Sequence, residues 1–138
     1  MEAHQVTFAN KISELDKLRD ALENLCSRWD IPPAICMSVN LALEEAFTNI
    51  VNYAFDDQNP HEISMEFSHA DNQLKVVITD DGKPYDPTLQ KAPDISLPAA
   101  DRPIGGLGVF LIRKIMDEIS YKRTSNQNKL YLSKHINQ

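Results

Sequence analysis

Apolar and polar residues alternate in five short stretches of the chain, which is typical of strands with one buried face. The first stretch covers residues 3–9. Residues 63–67 and 73–80 form a pair of such stretches, separated by a turn at Asp71 and Asn72. The last two, ISYKR and KLYLSKHI, predict a closing hairpin that turns through residues 125–128.

Apolar residues recur every three or four positions in three other stretches, which predicts amphipathic helices. The second of these helices opens at Pro33, a residue that suits the first helical position, and runs to about Phe55. The third covers residues 106–118 and follows a run of glycines. The first helix ends before Asp30, and its apolar positions are Ile12, Leu15, Leu18, Leu22, Leu25 and Trp29.

The predicted order of elements is strand, helix, helix, strand, strand, loop, helix, strand, strand. Strands and helices do not alternate, so a doubly wound fold is excluded, and the grouping predicts an α+β two-layer sandwich with the helices on one face of the sheet. At 138 residues the chain is expected to form a single domain, residues 1–138. Residues 87–104 contain four prolines and no apolar period, so we expect a long loop, and loops of this length are usually functional or disordered.

The amino-acid composition argues against several classes of protein. The chain is 42% hydrophobic, which suffices for a core, and its net charge of −6 gives no electrostatic footprint for nucleic acid. The N-terminal residues lack the features of a signal peptide, and no stretch is expected to approach the length of a membrane span, so we expect a cytoplasmic protein. Cys26 and Cys36 are the only cysteines; reduced thiols are the simpler expectation, and a disulfide stays open.

The second helix carries polar residues that a core helix does not need. On a 3.6-residue period, Glu45, Asn49 and Asn52 fall in one narrow sector, whereas Glu44 and Thr48 point away toward solvent. An asparagine carbonyl can ligate Mg²⁺, and a glutamate can accept a proton. The alternative is an ordinary solvated helix face. The apolar stripe beside this sector is expected to consist of Val39, Leu43, Ala46 and Ile50.

The four glycines of the chain lie at two places. Gly82 follows the strand that ends at Asp80, and Gly105, Gly106 and Gly108 lie at the entrance of the third helix. A glycine-rich helix entrance offers free N–H groups and the positive end of the helix dipole to a phosphate. An aspartate at the end of a strand can accept a hydrogen bond from an amine such as adenine N6. The alternatives are a tight loop-to-helix junction and a simple Asp-Gly turn.

Together, the order of these parts resembles the GHKL (Bergerat-fold) ATP-binding superfamily, and within it the anti-sigma-factor serine kinases. The resemblance covers essentially the whole chain. EEAFTNIVNYAF resembles the N box of that family, DDGKPYDP its G1 box and GGLGVFLIRKIMDEISY its G2 box. The resemblance implies the Bergerat fold, with a mixed, mainly antiparallel sheet and an ATP lid at about residues 87–104.

The resemblance also implies a role for each matching position. Glu45 would be the general base that takes a proton from the attacking hydroxyl, and Asn49 would ligate Mg²⁺ on the ATP phosphates. Asp80 would bind adenine, with Gly82 allowing close approach. The remaining positions expected around the nucleotide are Asn52, Tyr53, Pro84, Tyr85, Arg102 in the lid, and the phosphate cradle of Gly105, Gly106, Leu107 and Gly108.

Two positions depart from the superfamily pattern. Pro84 stands where many members have a second glycine in the G1 box, and the aromatic-acidic pair Tyr85–Asp86 after it is typical of the anti-sigma branch. Asn52 and Tyr53 lie near where relatives often have a histidine, which leaves the role of Tyr53 open. The departure at Pro84 weakens the link to histidine kinases more than the link to ATP binding.

The leading hypothesis is a Mg·ATP-dependent serine/threonine protein kinase that acts as an anti-sigma factor. The resemblance implies two protein partners, a small antagonist protein as substrate and a sigma factor, together with a homodimer. A second hypothesis is a module that binds nucleotide or sequesters a partner without catalysis. A third is a detached domain of a sensor histidine kinase, which is disfavoured because all four histidines lie at expected strand or loop positions: His4, His61, His69 and His135.

Overall fold

The computed structural model describes residues 2–57, 59–89 and 106–136, and these form an antiparallel sheet with helices packed on one face. The strands are β1 (Glu2–Ala9), β2 (Glu62–Ala70), β3 (Gln73–Asp80), β4 (Glu118–Thr124) and β5 (Gln127–His135). The helices are α1 (Leu15–Arg28), α2 (Pro33–Tyr53) and α3 (Gly106–Ile115). The predicted order of elements and the α+β class are therefore confirmed.

The strands lie in the order β1-β2-β3-β5-β4, and each neighbouring pair among the described strands is antiparallel. The expectation of a mixed sheet is therefore wrong for this part of the chain. Two turns with positive φ at both central residues, Asp71–Asn72 and Ser125–Asn126, join β2 to β3 and β4 to β5. Such turns match the right-handed twist of the strands they connect.

The core lies between the sheet and the helices. Inward residues of the strands, among them Phe8, Phe67 and Ile78, are buried together with α2. The ring of Phe47 on α2 meets Phe8 edge-on, with 5.7 Å between ring centroids. The predicted stripe of α2 omits Phe47, which is fully buried, and includes Ile50, which is only partly buried. The buried face is therefore rotated toward Phe47.

Three predicted boundaries are wrong by a few residues. Ile12 is 44% exposed and lies in a single 3₁₀ turn, so the core-facing part of the first helix begins at Leu15. α3 ends at Ile115 rather than at residue 118, and Glu118 already begins β4. The closing turn consists only of Ser125 and Asn126, which makes Asn128 a residue of β5.

The connection between α1 and α2 is cross-linked. The structure pairs Cys26 of α1 with Cys36 of α2 as a disulfide, with 6.3 Å between their Cα atoms, so the expectation of reduced thiols is not met. Between them the chain reverses through Asp30, at φ 54°, and Pro32 precedes the first residue of α2. Both cysteine side chains are buried.

α2 has the length and the apolar composition of a membrane-crossing helix, with 21 residues, so the expectation that no stretch approaches such a span is wrong. The same length and composition suit the core helix of a globular domain. Six of its residues are buried within the fold, which is how a core helix packs: Cys36, Val39, Ala42, Leu43, Ala46 and Phe47.

The indole of Trp29 packs at one end of the sheet. It stacks on the ring of His69, with centroids 5.6 Å apart, and meets the ring of His4 at 5.9 Å. His69 pairs with Leu74 at the beginning of β3, whereas Asp80 is the last residue of that strand. The Trp29 cluster and Asp80 therefore lie at opposite ends of the sheet.

Candidate active site

A pocket opens where the end of β3 faces α2. Its polar lining comes from separate parts of the chain, with Asn49 from α2, Asp80 from β3 and Asn128 from β5. Apolar side chains such as Ile78 and Ile112 line the remainder. A mostly apolar pocket with a few converging polar groups is the usual form of a small-molecule site.

Asp80 is the buried carboxylate of this pocket, with 5% of its surface exposed. Its Oδ1 accepts a hydrogen bond from the backbone N–H of Gly82 at 2.8 Å and another from Asn128 Nδ2 at 3.0 Å. Burial raises the pKa of Asp80 above its ordinary value, and these two donors act in the opposite direction. The carboxylate is therefore held at its place by donors despite the unfavourable burial.

Gly82 is required by close packing against the end of α2. A Cβ at this position would lie 2.6 Å from both the Cβ and the carbonyl oxygen of Ala54. The same carbonyl accepts a hydrogen bond from the N–H of Lys83 at 2.9 Å. The sequence suggested that this glycine allows a ligand to approach; the structure supplies a second reason, which is the contact between the loop and the helix.

Side chains of the closing hairpin, formed by β4 and β5, also donate hydrogen bonds to the loop after Asp80. Asn128 Nδ2 donates to the carbonyl of Lys83 at 2.9 Å, and Arg123 Nη1 donates to the carbonyl of Gly82 at 2.7 Å. Sequence reasoning missed Asn128, Arg123 and Tyr121, which also lines the pocket. The one available signal was the polar Asn128 at an inward position of a strand that continues with Leu130 and Leu132.

The structure separates the polar residues predicted on α2. Asn49 lines the pocket, and the half-buried Glu45 precedes it by one helical turn. Asn52 and Tyr53 are exposed, Tyr53 by 39%, and neither is among the lining residues. Glu44 was expected in open solvent, but it is half-buried in a groove between α1 and α2.

The residues after Gly82 lead from the pocket to the predicted lid. Pro84 is exposed, whereas Tyr85 is half-buried and lines the pocket, where burial raises the pKa of its phenol. Asp86 caps the 3₁₀ turn at Pro87–Leu89 by accepting hydrogen bonds from Thr88, and Arg113 of α3 donates to the Thr88 carbonyl. The start of the predicted lid is thus anchored to α3.

The structure describes the predicted phosphate cradle only in part. Arg102 and Gly105 lie outside the described residues, as does most of the predicted lid. The backbone of Gly106, Leu107 and Gly108 forms the first turn of α3. The first N–H groups of any helix have no acceptor within it, so this turn presents donors toward the preceding chain.

A histidine joins the loop after α2 to the loop after β3. His61 contacts Asp57 at 2.7 Å and Asp81 at 3.3 Å, and its ring stacks on Phe55 with centroids 3.9 Å apart. The hydrogen bond with Asp57 raises the pKa of His61 above its ordinary value, and the same bond lowers that of Asp57. The cluster therefore ties the loop before β2 to Asp81, the residue that follows Asp80.

The fold and the pocket are consistent with a nucleotide-binding domain, and sequence comparison gives the family. The chain belongs to the family described as histidine kinase-like ATPase domain, which it matches over residues 8–134. All four histidines lie in strands or in the loop before β2, as predicted.

Three similar proteins are serine or serine/threonine protein kinases by name. The chain is 31% identical to serine/threonine-protein kinase BtrW of Bordetella bronchiseptica over 114 residues, which cover 83% of this chain and 80% of that protein. It is 28% identical to serine-protein kinase RsbW of Bacillus velezensis over 125 residues, covering 87% and 77%. The serine-protein kinase RsbW of Listeria monocytogenes is similar at 29% identity, covering 87% and 78%.

Two solved structures share the fold. One contains the RsbU and RsbW domains of a Mycobacterium tuberculosis protein; its TM-score is 0.67 at 14% identity, covering 99% of this chain and 33% of that one. The other is the histidine kinase domain of a blue-light-activated kinase from Erythrobacter litoralis, with a TM-score of 0.55 at 20% identity, covering 91% and 60%. At sequence identities this low, the comparison with these two structures shows a shared fold and nothing further.

Proposed function

We propose that this protein is an ATP-dependent serine/threonine protein kinase of the anti-sigma-factor type. The observation that supports it most directly is the pocket to which α2 contributes Asn49 and β3 contributes Asp80. A carboxylate in an apolar pocket suits a nucleobase, and a helix amide beside it suits the metal on the phosphates. The named kinases that resemble the chain over most of its length support the same activity.

The residues present fit the adenine end of ATP. Oδ1 of Asp80 already accepts the two protein donors, so Oδ2 is the oxygen that we assign to the exocyclic amine of the base. Ile78 and Ile112 supply apolar walls for the ring, and the half-buried Tyr85 lies at the side that leads to the lid. The exocyclic amine of the base would donate a hydrogen bond to the remaining oxygen of the buried Asp80 carboxylate.

The residues of α2 fit the reacting end. Asn49 would hold Mg²⁺ through its carbonyl oxygen, and Glu45 would take the proton from the attacking serine or threonine hydroxyl. When bound, Mg·ATP supplies the phosphoryl group and the neutralising charge, so positioning and one base are most of what the protein adds. Glu45 is half-buried at the edge of the helix face, where a substrate hydroxyl can approach it.

The partners follow from the same proposal. The substrate would be a small antagonist protein, and the second partner a sigma factor, with the kinase acting in the cytoplasm and without direct contact to nucleic acid. The net charge of −6 supports the last point, because a nucleic-acid surface would repel it. Pairing of two copies into a homodimer belongs to this proposal as well.

The test is phosphoryl transfer. The purified protein is mixed with labelled ATP, Mg²⁺ and a candidate antagonist, and the products are analysed for phosphoserine and phosphothreonine. Labelled antagonist is the expected result. ATP binding without transfer to any partner would instead support a non-catalytic module that sequesters its partner, and failure to bind ATP would overturn the proposal entirely.

Two substitutions on α2 separate catalysis from binding. Glu45→Gln is expected to lower the transfer rate by at least about 100-fold while ATP affinity stays within about threefold, because only proton acceptance is lost. Asn49→Ala is expected to weaken Mg·ATP binding itself. Glu44→Gln, an identical change at the neighbouring residue in the α1–α2 groove, is the control and should retain transfer. Equal losses for both glutamates would contradict the assignment.

A further inference from the structure

The side-chain amide of Asn128 is fixed in one orientation. Its Nδ2 donates to Asp80 Oδ1 and to the carbonyl of Lys83, and its Oδ1 accepts from Arg123 at 3.1 Å and from the hydroxyl of Tyr121. An arginine can only donate and a carbonyl can only accept, so exchanging the amide N and O would place like groups against each other. Only 5% of Asn128 is exposed, which keeps water from replacing these partners.

The orientation of the Asn128 amide influences whether Asp80 accepts a hydrogen bond from a ligand or donates one to it. Two N–H donors on Oδ1, from Asn128 and Gly82, favour the carboxylate form, in which Oδ2 can only accept hydrogen bonds. Burial favours the neutral acid, in which Oδ2 can carry a proton and donate it. Of the charged groups near Asp80, Asp81 also favours the neutral acid, whereas Arg123 favours the carboxylate.

The two common purine bases present opposite groups at the corresponding position. Adenine carries an amino group, which donates, and guanine carries a carbonyl oxygen, which accepts. When Asp80 is ionised, Oδ2 accepts a hydrogen bond from the amino group of adenine and repels the carbonyl oxygen of guanine. When Asp80 is protonated, Oδ2 can donate a hydrogen bond to that carbonyl oxygen.

We propose that Asn128 is a positioning residue that gives the pocket its preference for adenine over guanine nucleotides, by holding Asp80 as an acceptor. Tyr121 and Arg123 act through Asn128 by fixing its amide. The proposal rests on the nucleotide site proposed above, and it adds a specificity determinant from β5, which neighbours β3 in the sheet but lies far from Asp80 along the chain.

The decisive variant is Asn128→Leu, which keeps the approximate size and removes the donor. Binding of ATP and of GTP, each with Mg²⁺, is measured by calorimetry over a range of pH. ATP affinity is expected to fall about tenfold or more, GTP affinity is expected to fall much less, and the pH below which ATP binding is lost should move upward. A merely structural role would weaken both nucleotides alike and leave that pH unchanged.

Gln127→Leu is the matched control, because the neighbouring residue loses the same kind of amide but points to the opposite face of the sheet. Circular dichroism establishes that each variant is folded. If Asn128→Leu does not fold, Tyr121→Phe, which removes one of the groups that orient the amide, should show a smaller change in the same direction.

The outcomes are distinct. Wild-type protein that binds no ATP would overturn the proposed function itself. Wild-type protein that prefers ATP, with an unchanged ATP-to-GTP ratio and pH profile in both the Asn128 and Tyr121 variants, would overturn this inference alone.

Discussion

Gly82 shows how a single residue can be fixed by packing as much as by a ligand. Replacing it by alanine would place a Cβ 2.6 Å from the backbone carbonyl of Ala54, which cannot move without displacing the end of α2. Gly82→Ala is therefore expected to lower the free energy of unfolding by about 1–3 kcal/mol in urea denaturation. Lys83→Ala, which removes an exposed ion pair with Asp56, should change it by less than about 0.5 kcal/mol. Equal stability of both variants would show that the contact relaxes freely.

Asp80 is expected to lower stability in exchange for ligand binding. Because burial raises the pKa of its folded form, the carboxylate disfavours folding at neutral pH, and this contribution disappears as the pH falls below the ordinary pKa of aspartate. Asp80→Asn should therefore be more stable than the wild type at neutral pH, with a difference that shrinks in acid, as measured by urea denaturation at both pH values. The same variant should lose ATP binding, because an amide would meet the amine of the base. A variant less stable than the wild type at neutral pH would contradict this.

Residues of the candidate site could be predicted only where they belong to a local pattern. Asn49 and Asp80 stood out because an amide on a core helix and an acid at the end of an apolar strand are visible within a few residues. Asn128 reaches Asp80 across 48 positions of sequence, and nothing local identifies its partner. Asn52 was placed in the site by helical spacing, but it lies beyond the pocket where α2 approaches its end.

At the scale of elements, the order and type of the α-helices and strands that the structure describes followed from periodicity, because each has one face in a single core, whereas the two 3₁₀ turns were not predicted. The errors lie where periodicity carries no information. A helical repeat gives no stop signal between Ile115 and Glu118. Residues 125–128 form one polar run, which predicted a four-residue turn, although only Ser125 and Asn126 turn. The rotation of the α2 face toward Phe47 depends on what the sheet presents to it, which is a property of the assembled layers.

The disulfide gives a prediction for the α1–α2 hairpin. It joins positions ten residues apart, and closing a loop of that size in the unfolded chain should stabilise the fold by about 2–3 kcal/mol. Treatment with a reductant is expected to lower the urea midpoint of the wild type accordingly. The double variant Cys26→Ser/Cys36→Ser serves as the control, since the reductant should not affect it. A wild-type midpoint that does not respond to reductant would show that the bond is absent in solution.

For the whole molecule, the order of strands predicts a gradient of stability. β3 lies in the middle of the sheet, between β2 and β5, whereas β1 and β4 are edge strands. Hydrogen exchange should therefore be slowest in β3, through global unfolding, and faster in β1, through local opening. Mass spectrometry of exchanging peptides measures both in one sample. Equal protection of β1 and β3 would indicate that the edge is covered, as it would be in a pairing of two copies.

Trp29, which stacks on His69, provides a fluorescent probe of one end of the sheet. Trp29 is the only tryptophan of the chain, and it reports on the end of the sheet opposite Asp80. The pocket lies at the other end, where a bound nucleotide would report on it. Excitation at wavelengths that phenols do not absorb follows the Trp29 end alone during unfolding, and loss of ATP binding in the same titration follows the pocket end. Coincident curves would identify one cooperative unit, and divergent curves would show which end of the kinase loosens first.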